Sequence, residues 1–314
     1  MIPGDFIQKI TNTMNITNTQ MVEKDLYLQG LLLELEKSTY FTNHFTFKGG
    51  TCLTKVYYGY YRFSEDLDFT WIDPQKLESN SANETRRKIS HEIAQLMTLF
   101  EKAGEKTGLD FKAQKSNKHY IQLGGSNRFV TFKFWYQSAI SRIETFIKIQ
   151  FNFTEKLFHS SVLRTINPIA NNFSSHQKAE LEKEYPVYGA WAIQPARLHT
   201  YNIKEIAAEK IRAILTRRGI KARDYVDLYI LNQKKIKVKE VETLAIQKTV
   251  FMLNYEKYDQ NLSTKTFNEK IDLGKEEALM IQPIGKDFQS FIEKKQKELL
   301  KIAQTVKREY AKTK

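Results

Sequence analysis

The chain has 314 residues, 41% hydrophobic and 27% charged, enough for a sizeable core in two domains or one large one with an appendage. Its formal net charge of +13 favours acidic partners such as nucleic acid or nucleotides, although a basic, well-solvated surface accounts for it equally well. The single cysteine, Cys52, excludes an internal disulfide framework and a cysteine-based zinc knuckle.

The N-terminal MIPGDFIQKI has no apolar run of signal-peptide length. The run LYLQGLLLELEKS is broken by Glu34 and Glu36 and is too short to span a bilayer, so no membrane association and a cytoplasmic location are expected. Residues 19–37 predict an amphipathic helix, with Met21, Leu26, Leu28, Leu32, Leu33 and Leu35 opposing charged positions. Residues 45–47 read as a short strand. Gly49 and Gly50 supply a turn, and Thr51 is placed to cap a helix carrying Cys52, Leu53, Val56, Tyr57 and Tyr60. Residues 67–71 alternate aspartate with apolar side chains and read as a strand. A helix over 84–103 is expected to end at Gly104. Strands follow over 119–123, 129–136 and 145–153, with Gly124-Gly125-Ser126-Asn127 as a hairpin turn. A loop over 171–176 and a strand over 186–192 complete this half. Beyond Asn202, helical periodicity covers 203–216, 224–232, 239–258 and 287–310.

The stretch FKGGTCLTKVYYGYYRFSEDLDFT carries the chemistry. A strand sends alternate side chains to one face, so Asp66 and Asp68 point the same way. Two convergent carboxylates repel unless a cation lies between them, and a hard oxygen site open to water and phosphate suits magnesium. Gly49 and Gly50 let the backbone approach a ligand, and a helix starting near Thr51 would aim N–H groups at a triphosphate. Taken singly, these residues also fit a solvated turn and an ordinary bend.

GGT followed after a helix-length gap by RFSEDLDF resembles the signature of the DNA polymerase beta-like nucleotidyltransferases. More narrowly it resembles the AbiEii/AbiGii toxin family, in which a VEKD-bearing helix precedes the glycines, as Val22-Glu23-Lys24-Asp25 does here. That family's later element reads KEIAAEKIRAILTRRGIKARDYVDLYIL in this chain, from Lys204 to Leu231. The resemblance implies a metal-binding pair in Asp66 and Asp68, phosphate-flanking residues in Arg62 and Ser64, a phosphate-steadying lysine in Lys210, and a second acidic partner in Asp224. It also implies a magnesium-dependent enzyme, the toxin of a toxin–antitoxin pair, moving a nucleoside monophosphate from an NTP to an acceptor such as a tRNA 3′ end. An antitoxin protein is the implied partner. Protein nucleotidylation, and a degenerate site that only binds nucleotide or RNA, remain as alternatives. In one respect the chain departs from the superfamily: Gln150 stands where a third carboxylate is expected, and a glutamine neither accepts a proton nor brings negative charge to a metal.

The six histidines show no metal-ligand spacing, no serine lies in GxSxG, and GGTCLTK is not a P-loop. Trp71, Trp135 and Trp191 read as core residues on strands. Arg217, Arg218, Lys221 and Arg223 form a basic cluster suited to an RNA backbone, as are the lysines of the final helix, which a solvated surface explains as well. The expected architecture is α+β. A nucleotidyltransferase domain over 1–200, a small mixed sheet flanked by helices, precedes a helical domain over 201–314 that contributes Lys210 and Asp224 to the cleft between the two.

Overall fold

Alternating polar and apolar residues produce seven strands: β1 Phe45–Lys48, β2 Asp66–Trp71, β3 Ile121–Gly124, β4 Phe129–Gln137, β5 Glu144–Asn152, β6 Val162–Ile166 and β7 Ala196–Thr200. In the computed structural model, which describes residues 1–313, they form one mixed sheet in the order β3-β4-β5-β2-β1-β7-β6. β2 runs antiparallel to β1 and parallel to β5. The sheet belongs to the first of two units, residues 1–157 with 161–201; the second comprises residues 158–160 and the chain from Asn202 onward.

Register sorts the side chains of β2 into two rows. Phe69 lies between Phe47 of β1 and Phe151 of β5, and all three are buried. Phe69 and Phe151 stack at 5.4 Å between ring centroids, and Phe100 of the helix Ala82–Thr107 packs on Phe132, Phe134 and Phe151. Burying each such ring contributes about 1.5–3 kcal/mol, so this face anchors the sheet. The opposite row holds Asp66, Asp68 and Thr70. The helix Thr19–Glu36 packs on β5, β7 and the helices Ala82–Thr107 and Pro186–Ile193. It is not amphipathic in the expected sense, because Glu23, Asp25 and Gln29 are buried with its leucines.

Several expectations are corrected. The helix expected to stop at Gly104 runs over Ala82–Thr107 and ends at Gly108, whose φ of +70° suits glycine. Residues 186–192, rich in aromatic and small apolar residues, form the helix Pro186–Ile193 instead of a strand, with proline at its first position, where the missing N–H costs nothing. The strands β6 and β7 take its place. The helix Gly4–Met14 was not foreseen. Trp191 is buried on a helix, and Trp135 is only half-buried, on the outward face of β4.

In the second unit the helix Ile203–Thr216 packs against Ala222–Gln233 and Val238–Leu253, and the last of these against Phe288–Ala311. The helix expected over 239–258 breaks at Asn254 and resumes as Glu256–Ser263. Lys248 is buried 2.6 Å from Glu205, whose other oxygen accepts from the backbone N–H groups of Phe158 and His159. That pairing holds two helices and residues 158–160 together within this unit.

Candidate active site

The two glycines are explained by what lies against them. β1 ends at Lys48, and Gly49 turns the chain with φ +78°, a conformation that L side chains rarely adopt. A Cβ there would sit 2.2 Å from the Asp68 Oδ2 atom. A Cβ on Gly50 would lie 2.7 Å from an Arg62 guanidinium nitrogen and 3.1 Å from the Ser64 hydroxyl. The turn thus brings Gly49, Gly50, Arg62, Ser64 and Asp68 into one cluster.

Thr51 does not cap the helix. The helix starts at Gly49, with Lys48 at the cap position, and Thr51 lies buried inside it. Its hydroxyl donates to the Asp66 carbonyl at 2.5 Å, tying the helix to the start of β2. Arg62 is buried, donating from Nη1 to the Phe63 carbonyl at 2.7 Å, so its cation is built into the loop before β2.

Asp66 and Asp68 share the outward row of β2, with Lys148 and Gln150 of β5 as their register partners. The Asp66 side chain is 24% exposed and its Oδ1 is 3.5 Å from the Lys148 ammonium. Gln150 donates to the Thr131 hydroxyl at 3.2 Å. Among the described residues no group of three or more acidic, histidine or cysteine side chains is arranged to hold a metal. The pair nonetheless fits a hard divalent cation, since two carboxylate oxygens on one strand face leave the other positions for water and phosphate.

Sequence reading missed the support beneath this cluster. The VEKD segment supplies it. Glu23 accepts from the Ser138 hydroxyl at 2.6 Å and the Ala139 N–H at 2.7 Å, and Lys24 pairs with Glu65 at 3.2 Å. Asp25 pairs with fully buried Lys55 at 2.8 Å and accepts from Tyr60 at 2.9 Å. Burial pushes the Lys55 ammonium below its ordinary pKa against the pull of Asp25, and burial with Asp25 raises the Tyr60 phenol well above its own. Lys48, the register partner of Asp68, makes a buried ion pair with Glu155. The only sequence signal for these contacts was charge at positions otherwise apolar.

The second unit gathers the other motif residues. Asp224 and Asp227, three apart on the helix Ala222–Gln233, face one way. Lys210 reaches Asp227 at 2.7 Å and Asp224 at 3.3 Å, and Arg217 reaches Asp224 at 2.5 Å. Both carboxylates are buried, at 3% and 0% side-chain exposure, and two cations balance them. Of the basic cluster, Arg217 is thus paired and Arg223 lies 3.6 Å from Glu276, while Arg218 and Lys221 are exposed. Lys265 donates to the Arg217 and Gly219 carbonyls, fixing this turn, and burial lowers its pKa.

Residues 31–307 match the family model described as the nucleotidyl transferase AbiEii toxin of type IV toxin–antitoxin systems. The chain belongs to the AbiEii family. It is therefore a nucleotidyltransferase, and a type IV toxin implies an antitoxin partner and an NTP substrate. No curated protein matches it. Among solved structures, MenT4, a nucleotidyltransferase toxin from Mycobacterium tuberculosis H37Rv, is similar at 18% identity and a TM-score of 0.51, covering 92% of this chain and 94% of its own. At that identity the likeness speaks for the fold. JHP933 from Helicobacter pylori is 17% identical with a TM-score of 0.44, covering 95% and 96% of the two chains. Among the described residues no helix of this AbiEii protein is long and apolar enough to cross a membrane.

Proposed function

We propose that this AbiEii enzyme is a magnesium-dependent cytoplasmic toxin that transfers a nucleoside monophosphate from an NTP to the 3′ end of an RNA, a tRNA in the first instance. The observation that carries this reading is the packing of the Asp68 carboxylate against Gly49, with Asp66 two residues away on the same strand face. Asp66 and Asp68 would hold the magnesium, which when bound neutralises triphosphate charge and polarises the reacting phosphoryl group.

The chain's own groups do the rest. The Gly49-Gly50-Thr51 turn presents backbone N–H groups to the triphosphate, with the Ser64 hydroxyl and the Arg62 cation fixed beside it. The acceptor oxygen forms its bond to the α-phosphorus as the bond to the β-phosphate oxygen breaks, releasing pyrophosphate. The acceptor's proton passes to solvent. Gln150 brings no charge, so this strand face provides one metal position. By the motif, Lys210 steadies phosphate and Asp224 is the second acidic residue. Lys210 has three N–H donors, and Asp224 and Asp227 each receive one. Exposed Arg218 and Lys221, beside Arg217 and Arg223, are assigned to the RNA backbone.

Incubating the enzyme with each labelled NTP and either total RNA or cell protein tests this reading. Label at RNA 3′ ends, dependent on magnesium and absent with Asp66→Asn, is the expected result. Label in protein alone would replace the RNA acceptor, and turnover undiminished by chelation would remove the metal.

A further inference from the structure

The outward face of β4 and β5 is not an ordinary solvated surface. Buried Val130, Phe132, Phe134 and Tyr136 alternate along β4 with outward Thr131, Lys133 and Trp135. Register sets Thr131 opposite Gln150, Lys133 opposite Lys148 and Trp135 opposite Phe146. The two rings lie 4.6 Å apart, and exposed His119 stacks on Trp135 at 4.1 Å with only 6° between the planes. The Trp135 indole N–H donates to the His119 carbonyl at 2.9 Å, which locks the stack in place. Lys133 and Lys148 sit 5.5 and 5.9 Å from the Phe146 ring centroid.

Like charges directly opposite one another on adjacent strands destabilise a sheet. Here Lys148 has Asp66 at 3.5 Å, but Lys133 makes no ion pair among the described residues and donates only to the Lys118 carbonyl at 3.4 Å. A half-exposed aromatic pair, a stacked imidazole and two facing lysines offer a flat anionic ligand ring faces and positive charge side by side. Strand geometry places the ring row and the lysine row about 7 Å apart along β5, and the lysine row adjoins Asp66 across one strand spacing of about 5 Å.

We infer that this face binds single-stranded RNA, with a base stacked on the His119–Trp135–Phe146 surface and a phosphate between Lys133 and Lys148. Stacking rings beside a cationic track are what a single strand requires, and a duplex hides its base faces. Because the lysine row ends at Asp66, the same face leads a 3′ end toward the Asp66–Asp68 pair. This last step rests on the RNA-acceptor reading above.

The test is binding of a fluorescent single-stranded RNA with a free 3′-hydroxyl to the whole protein, without NTP, so that it does not depend on transfer. Trp135→Ala removes the central ring, His119→Ala changes an exposed side chain, and Lys133→Glu changes a half-buried one on the outward face, outside the packed core. Each ring change is expected to weaken RNA binding about five- to hundredfold. Lys133→Glu should lower the salt dependence by about one unit of slope. NTP binding should hold in all three, and a blunt duplex should compete poorly. Wild-type RNA affinity in His119→Ala and Lys133→Glu would overturn the inference, as would a wild-type protein that binds no single-stranded RNA. Loss of NTP binding with RNA binding intact would give the rings to the nucleotide base. Loss of antitoxin binding alone would give the face to a protein. If RNA binding responds as expected while label appears only in protein, the face stands and the RNA-acceptor reading falls.

Discussion

Two pairs of aspartates sit in opposite settings within this AbiEii protein. Asp66 and Asp68 lie on the outward row of a strand, and the Asp66 carboxylate is 24% exposed with Lys148 at 3.5 Å. Asp224 and Asp227 are buried on a helix, with Lys210 and Arg217 between 2.5 and 3.3 Å away. Buried carboxylates must be compensated within the fold, and removing one partner of such a pair typically costs about 3–5 kcal/mol. Exposed pairs cost little to alter. The Asp66 carboxylate is thus reached by solvent, whereas the helical pair is enclosed with its own cations in the structure that holds its unit together.

The largest expected effect separates the two pairs directly. Asp66→Asn or Asp68→Asn should lower transfer on the order of 10²-fold or more while changing the melting temperature little, because the part-exposed Asp66–Lys148 pair contributes about 1 kcal/mol or less. Asp227→Asn should do the reverse to stability, leaving Lys210 short of its closest partner and lowering the melt of the helical unit. Transfer assays beside thermal melts read both. An active Asp66→Asn enzyme with a lowered melting temperature would reverse the comparison.

Gly49→Ala is expected to combine both penalties on the strand side. The new methyl meets the Asp68 carboxylate, and the φ of +78° strains any L residue, at a cost of about 1–3 kcal/mol. Displacing Asp68 should cut transfer by an amount comparable to Asp68→Asn, and added magnesium should restore little. Full activity would mean that the close approach of Gly49 has no part in catalysis.

Lys210 sharpens the contrast from the other side. As a helix residue it tolerates alanine locally, but Lys210→Ala also removes the cation shared by two buried carboxylates, leaving Arg217 on Asp224. Both transfer and stability should therefore fall. Lys210→Arg keeps the charge and should recover most stability while recovering less activity, because a guanidinium does not replace a compact ammonium on a phosphate. Equal recovery of both by arginine would confine Lys210 to a structural role.

The strand side was largely legible in the sequence because its signals are local. Period-2 alternation fixed which way Asp66 and Asp68 point, and two consecutive glycines marked a turn. Thr51 misled because a hydroxyl after a turn looks like a cap, yet Gly49 starts the helix two residues earlier and frees that hydroxyl to reach Asp66. Partners distant in the chain were not legible. Nothing in VEKD says that Asp25 meets Lys55, nor does KEIAAEK say that Glu205 meets Lys248. Residues 186–192 were misread because β-branched and aromatic content suggests a strand, while proline at a first helical turn is equally at home. Trp135 was read as core because strand aromatics usually are; only register with Phe146 shows it facing outward.

The smallest effect concerns pH, and it again compares the two units. Each buries a tyrosine whose phenol is pushed up to about 12 mainly by burial, Tyr27 in the first and Tyr225 in the second, and the first also holds Tyr40, Tyr60 and Tyr136, which burial pushes higher. Neutral tyrosine is the form that the fold accepts. In the unfolded chain these phenols ionise near their ordinary value of about 10, so the unfolded state binds fewer protons from there upward. Stability should be insensitive to these groups below pH about 10, fall between about 10 and 12, and level off above the folded value. Each tyrosine should remove roughly 2–3 kcal/mol at most across that window, no more than breaking a buried ion pair typically costs. Phenylalanine at either position keeps the ring and should blunt the fall, with the Tyr27 change protecting the first unit and the Tyr225 change the second. Alkaline melts followed by ultraviolet absorbance of the phenolates would read both transitions. A fall that begins well below pH 10, or that neither substitution moves, would assign the alkaline limit to other groups.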